Sequence, residues 1–431
     1  MLSTHRYAIC KMSSKDDRTP LLLDVDDTQG DYCTNENAQA KKVSGRTPES
    51  TCLSSLSEPI DRYIICVFVV AFDTRAGNLV EWCMPDDCDL DGIEFKAMAS
   101  GCHKVQSDFI YFKKGSSYGA SCFENMPVDS EIERGARMKS VGVLAASYLS
   151  LYTHIPFLEE QVSYLLENPG KYEHLKDFYE RWKAVLPSAE SKSFITPSIS
   201  RPMTSQLTAM HPAGCFSQFI KFFGDQTFLL WKYMLLKKRI LFYSPPPIGV
   251  VCYRVNCARC LTLHNAPEIV DQIVQPLFYI SVGDVDFLES ETSFIACTTD
   301  KILESKLYLY DVYVDNQNVR CSDHALQKSI TITPADKQKL NKLSCSLKDS
   351  RVNLLEKEDN EELIFSDFFR DLNTRIFRTL LDISYSNNKE ITSTLVRSMG
   401  LDPVGDRNFL IQLLETYGID AVIMVESPCC S

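Results

Sequence analysis

Gly115-Ser-Ser-Tyr-Gly119 has the spacing of the hydrolase nucleophile elbow, Gly-x-Ser-x-Gly, with Ser117 in the nucleophile's position. That chemistry needs a strand running into the serine and a helix leaving directly after it. A strand pattern, Phe109-Ile-Tyr-Phe112, does precede it. On its other side Ala120-Ser-Cys-Phe123 is a second strand pattern, and Gly and Ser are the residues that hairpin turns use. The segment therefore reads as a hairpin. Cys252, Cys257, Cys260 and His264 put four possible zinc ligands within thirteen residues. Structural zinc sites use paired Cys-x-x-Cys knuckles on turns. Residues 250–260 read as helix instead, which turns Cys252 away from the others. Cys257, Cys260 and His264 remain as one weak metal candidate, against the reading of core-filling helix thiols. No Walker or dinucleotide glycine loop and no His-Glu-x-x-His is present, so neither nucleotide hydrolysis nor hydride transfer is expected. No cofactor is expected, and no covalent active site. The chain is expected to be a surface-presenting protein and not an enzyme.

Two short patterns lie near the ends. Asp17-Arg-Thr-Pro-Leu21-Leu22 fits the acidic dileucine pattern by which extended peptides dock on clathrin adaptors; the competing account is a solvated tail. Cys429-Cys430-Ser431 offers two thiols for lipidation, although Pro428 occupies the position where Ca-a-X prenylation needs cysteine. Idle thiols are the alternative.

These residues must be positioned by a chain of 431 residues, enough for about three domains at roughly 150 residues each. Lys and Arg number 45 against 57 Asp and Glu, a formal charge of −12. Nucleic acid demands a basic field, so no nucleic-acid partner is expected. The longest apolar run, Tyr63 to Phe72, is ten residues, about half of what a membrane-spanning helix needs. Charges interrupt the first thirty residues where a signal peptide would be apolar. The 17 scattered cysteines then read as reduced thiols, and the expected location is the cytoplasm.

Residues 1–58 are polar and aperiodic and read as a disordered arm. Residues 59–186 read as a first α/β unit. It has a hairpin from residues 62–72 and 79–83, a short helix at 92–99, the second hairpin above, a strand at 138–144, and helices ending near 168 and 186. Residues 187–212 carry Pro187, Pro197, Pro202 and Pro212 among many Ser and Thr, and read as a linker. Residues 213–333 form a second α/β unit. A long helical stripe from Phe216 to Met234 leads it, with Gly224 inside and assigned to close packing. The run Ile240-Leu-Phe-Tyr243 is a strand buried on both faces, and strands at 277–282, 293–298 and 307–314 alternate with helices, so the sheet is mostly parallel. Residues 334–361 are a polar linker or a loose helix. Residues 362–431 are helical, with Phe365, Phe369, Leu372, Ile376 and Leu380 on one stripe. Residues 349–431 hold 15 acidic and 8 basic residues, a poor match for an anionic membrane.

That order of units resembles the tripartite DENN module, an α/β architecture with a longin-like upstream unit, a central α/β unit and a helical downstream unit. Phe68-Val-Val-Ala-Phe-Asp73 followed by Asn78-Leu-Val-Glu-Trp82 is similar to its first hairpin. Lys237-Lys-Arg-Ile-Leu-Phe-Tyr-Ser244 is similar to the basic helix end and buried strand of the central unit, and Leu309-Tyr-Asp-Val-Tyr-Val-Asp-Asn316 to its last strand. Glu133-Arg-Gly-Ala-Arg-Met-Lys-Ser-Val-Gly142 and Gly249-Val-Val-Cys-Tyr-Arg-Val255 resemble one branch of the family. The resemblance covers about residues 62–431.

It implies a guanine-nucleotide exchange factor that releases GDP from a Rab GTPase in vesicle trafficking, working in the cytoplasm and peripherally on vesicle membranes. A cleft between the first two units would grip the switch regions. Topology points to strand-end loops as contacts: Ser244, Pro245 and Pro246, and Asp315 and Asn316, although these are also ordinary turn residues. Two alternatives stay open. One is an activator of GTP hydrolysis with an arginine finger drawn from Arg75, Arg134 or Arg137. The other is a non-catalytic scaffold for a GTPase, an adaptor or another DENN protein.

Overall fold

The computed structural model describes residues 63–130, 132–133, 135–183, 216–272, 274–350 and 357–424. The first hairpin is β1 (Ile64–Asp73) with β2 (Gly77–Met84), and Asp73 Oδ1 holds its turn by accepting the Arg75 and Ala76 N–H groups at 2.8 Å. The second is β3 (Ser107–Lys114) with β4 (Ser117–Pro127). Lys114 faces Ser117 across a turn in which Gly115 takes φ 57°, as a tight hairpin needs. A strand therefore leaves Ser117, and the hydrolase geometry is absent. Strand β5 (Ala136–Ala145) lies between β4 and β1. Helix α1 (Ile93–Ala97) and helix α2 (Ile155–Glu167) cover opposite faces. The neighbours Ser121 and Cys122 on β4 bond to Ala97 O and Ile155 O respectively, and adjacent strand residues point to opposite sides. Helix α3 (Glu173–Trp182) comes after α2.

The helical stripe after residue 216 is two helices, not one: α4 (Phe216–Phe223) and α5 (Gln226–Leu235). Gly224 breaks it with φ 51°, and a Cβ built there would meet nothing within 4 Å. The glycine serves left-handed backbone, not the close packing expected from sequence. Strands β6 (Ile240–Tyr243), β7 (Pro276–Tyr279), β8 (Ile295–Thr298) and β9 (Val312–Asp315) are parallel, in the order β9-β6-β8-β7. Their side chains alternate between two cores. Ile240, Phe242, Ile295, Cys297, Val312 and Val314 fill one face, while Leu241, Ala296 and Tyr313 fill the other. The last strand starts at Val312 and not at 307, and an unforeseen β10 (Asn318–Cys321) pairs antiparallel with it. Helices α6 (Gly249–Cys260), α7 (Val285–Ser290) and α8 (His324–Ser329) complete this half.

One sheet runs through both halves. Phe112 of β3 pairs in parallel with Tyr279 of β7, which makes ten strands in the order β10-β9-β6-β8-β7-β3-β4-β5-β1-β2. Helix α9 (Pro334–Ser350) occupies the first part of the polar stretch 334–361, and residues 351–356 lie outside the described residues. Then come α10 (Lys357–Tyr385), α11 (Ser393–Ser398) and α12 (Arg407–Tyr417), with β11 (Glu390–Ile391) beside β12 (Val422–Ile423). Polar hubs tie these helices to the sheet. The Trp231 indole N–H donates to Asn373 Oδ1 at 2.7 Å, and Asn373 donates to Leu261 O and Leu263 O at 2.7 and 3.0 Å. The buried Lys232 ammonium of α5 meets Asp336 and Asp406, each at 2.6 Å.

Candidate functional site

Because β3, β7, β8, β6 and β9 run in one direction, their carboxyl ends share one edge of the sheet. Open α/β sheets bind ligands outside that edge. The β3–β7 ladder is the single pair Phe112 with Tyr279; β7 ends there, while β3 runs on to Lys114. A cleft of about 350 Å³ opens there. One wall is α1 with the β3–β4 turn, giving Phe95, Lys96 and Lys113; the other is the segment from β7 into α7, giving Ile280, Asp284 and Phe287. Ile93 and Ala97 already bury the core side of α1, so Phe95 is left outward at 56% exposure, and Phe287 stands at 44%.

The walls are held together below the cleft. Lys96 Nζ reaches Asp284 Oδ1 at 2.7 Å across it. Asp284 is oriented in turn by accepting the Ser281 N–H at 2.9 Å. The Tyr279 hydroxyl accepts the Ser100 N–H at 3.1 Å. Asp108, at the start of β3, accepts the Ile248 and Gly249 N–H groups at 2.6 and 3.0 Å and so caps α6. Burial pushes the Asp108 carboxyl up to about 6, against the opposing pull of these backbone donors. Phe278, with φ 58°, turns its ring among Tyr111, Tyr118 and Tyr148 at centroid distances of 5.5, 6.3 and 5.2 Å. Such contacts fix the two walls as one body before any partner arrives.

The loops singled out from sequence lie on the same edge as the cleft but do not line it. Ser244 follows β6 and donates its N–H to Thr298 O at 3.1 Å; Pro245 comes next. The Pro246 ring packs 3.5 Å from where a Cβ on Gly101 would stand, so this loop touches the upstream half. Asp315 ends β9 with its carboxylate 3.4 Å from Lys301 Nζ, and Asn316 takes the turn with φ 56°. Arg75 and Arg137 sit on the opposite edge, since β1 ends and β5 begins where β3 begins. Arg75 is exposed in the β1–β2 turn. The Arg137 guanidinium is engaged by both Glu133 oxygens at 2.7 and 3.0 Å and by Leu166 O at 2.7 Å. Its bond to Glu133 raises its pKa further. Arg134, the dileucine residues Asp17, Leu21 and Leu22, and the tail thiols Cys429 and Cys430 lie outside the described residues.

The cysteines of α6 serve the core. Cys257 and Cys260 are buried, and Cys252 Sγ lies 3.5 Å from Cys297 Sγ. His264 spends Nδ1 on the Ala266 N–H at 3.2 Å, stacks edge-on to Phe377, and is held below its usual pKa by burial. Among the described residues no three His, Cys, Asp or Glu side chains are placed to hold a metal ion. No helix among them is long and apolar enough to cross a membrane. Phe95, Ile280, Asp284 and Phe287 were not singled out from sequence. The available signal was an aromatic left over on a short helix whose apolar face was already filled.

Residues 67–326 match the family model described as DENN domain-containing protein 11, a span that contains both walls of the cleft. The chain is 52% identical over 382 residues to DENN domain-containing protein 11 of Mus musculus, covering 85% of this chain and 83% of that one. It is 48% identical to the Xenopus laevis protein of the same name, covering 97% of this chain and 100% of that one. A more distant relative, DENN domain-containing protein 10 of Dictyostelium discoideum, is 25% identical over 47% of this chain and 53% of its own.

Proposed function

The chain belongs to the DENN domain family, and from that membership we propose that it is a guanine-nucleotide exchange factor releasing GDP from a Rab-family small GTPase. Members of the family generally act on Rab GTPases in this way. The observation that supports the reading best is the preformed cleft, with an exposed phenylalanine on each wall. Aromatic anchors beside a concave site are what apolar switch residues would dock against. Walls already joined by Asp108, the β3–β7 pair and the Phe278 cluster need little ordering on binding, which leaves more of the contact energy for discrimination.

Such a protein makes and breaks no covalent bond. It binds the nucleotide-free GTPase more tightly than the GDP form, and that difference loosens GDP. Each tenfold of discrimination corresponds to about 1.4 kcal/mol. Structurally, holding the switches against Phe95 and Phe287 draws them from the Mg²⁺ and phosphates they cover. The site of action is the cytoplasmic surface of vesicles carrying the GTPase, reached by peripheral association.

The test is a panel of Rab proteins loaded with fluorescent GDP. Acceleration of release on one or a few members, abolished by Phe95→Glu with Phe287→Glu, is expected. No acceleration on any member, while a known exchange factor works beside it, overturns the reading. Binding that ignores nucleotide state, without a rate effect, assigns a scaffold. Faster single-turnover GTP hydrolysis assigns an activator.

A further inference from the structure

Between β8 and β9 the chain carries more apolar residues than the core beneath it uses. Leu303, Leu309 and Tyr310 are buried in the second core, under the sheet face that holds Leu241 and Tyr313. Ile302, Leu307 and Tyr308 point outward, with 60%, 55% and 52% of their surface exposed. Three large apolar side chains within seven residues form a shelf, and exposed clusters of that kind mark interaction sites. The segment is also firmly held. The Tyr310 hydroxyl donates to Glu304 O at 2.6 Å, and Arg239 donates to Tyr308 O at 2.8 Å. A rigid shelf loses little entropy on docking.

Its position connects it to the cleft. Asp300, just before this segment, accepts the Val282 N–H at 2.9 Å through Oδ2. Val282 lies between the cleft residues Ile280 and Asp284 and is itself 52% exposed. The segment carrying Ile302 is therefore bonded directly to the cleft wall that carries Val282 and Phe287. Size makes the same point. A specific protein–protein interface takes about 800 Å² and roughly 20–30 residues from each side. Thirteen residues line the cleft, fewer than that. A protein gripped there has to cover adjoining surface.

We propose that the Ile302, Leu307 and Tyr308 shelf is a second contact for the same small GTPase that the cleft engages, and that it sets which members of that class are accepted. The inference rests on the reading of the cleft given above. Most charges around the shelf are paired: Lys301 with Glu304 at 2.8 Å and with Asp315 at 3.4 Å, and Arg320 with Glu304 at 2.7 Å, while the Lys306 ammonium lies 5.9 Å over the Tyr308 ring. Contact here is apolar, so a GTPase with a polar or charged residue opposite Ile302 is rejected by burying it unpaired. The balanced charge also favours a protein partner over an anionic bilayer, which attracts clusters of unpaired cations.

The experiment titrates the full chain against the nucleotide-free form of the Rab found in the exchange screen. It compares wild type, Ile302→Glu with Leu307→Glu, and Phe95→Glu with Phe287→Glu; thermal melting verifies that each variant is folded. The shelf variant is expected to bind at least tenfold more weakly and to change the ranking of Rabs in the panel. A shelf variant that binds like wild type, while the cleft variant does not bind, overturns the shelf alone. Wild-type binding by both variants, or no binding by wild type, overturns the cleft reading and the shelf with it. Should the shelf variant keep the GTPase but lose self-association or vesicle sedimentation seen with wild type, the shelf belongs to a second copy or a membrane and the proposal fails.

Discussion

Replacing Lys232 by methionine should destabilise the folded chain by about 3–5 kcal/mol, the cost typical of breaking a buried ion pair from one side. The side chain is fully buried, and its ammonium meets Asp336 Oδ2 and Asp406 Oδ1 at 2.6 Å each and Thr331 O at 2.8 Å. Methionine fills much of the same volume, so little of the loss comes from a cavity. What remains is two buried carboxylates. Asp336 keeps Lys339 at 2.9 Å and the Thr333 N–H at 2.9 Å. Asp406 keeps the Asp402 N–H at 2.7 Å and the Thr333 hydroxyl at 3.3 Å but no cation in direct ion pair, only the more distant charge of Lys339, so the penalty falls mainly on it. Burial raises the Asp336 pKa, but Lys339 and Lys232 outweigh it and hold the group below its usual range. Its contribution is therefore present above the unfolded value of about 3.9 and lost as pH falls through the folded one. The gap between wild type and variant should therefore narrow only below about pH 4, as Asp336 takes up its proton. Denaturant unfolding at pH 7 and at about pH 3 measures this, with the midpoint falling and the m-value unchanged. Adding Asp406→Asn to Lys232→Met should recover part of the loss. A cost under about 1 kcal/mol, or no recovery in the double variant, would refute the reasoning.

Asp108 should titrate near 6 by carbon-13 NMR. From about pH 4 to about pH 6 the folded state then holds a proton that the unfolded state has released, so stability falls as pH rises, by about 3 kcal/mol in all. Asp108→Asn should flatten that slope, and a midpoint below 4 would contradict the assignment. Gly224→Ala meets no neighbour but leaves φ 51° to a residue with a Cβ, and should cost about 1 kcal/mol in denaturant unfolding. Asn373→Leu strands the Trp231 N–H and two carbonyl acceptors in the core, and should cost about 2–4 kcal/mol; indole fluorescence gives a second readout of the same site.

Much of the fold is local and was legible in the residues. Alternating and unbroken apolar runs marked β1, β6 and the stripe of α10, and Gly115 marked a hairpin turn. Those patterns state which face of an element is buried and where the chain must turn, because each depends on a few neighbouring residues. They do not state what the buried face meets. Phe112 pairing with Tyr279, Asp108 capping α6, and Lys96 reaching Asp284 all join residues more than a hundred positions apart. Gly224 shows the limit within one element, since an apolar stripe continues through it although the backbone does not. Lys232 interrupts an apolar helix as any solvated lysine would, and only the packing of α5 against α9 and the start of α12 makes it the centre of a buried network. The strand-end loops were found because parallel strands end on one edge. Which loops enclose a cavity was settled by where β7 ends beside β3, a property of two strands brought together by tertiary packing.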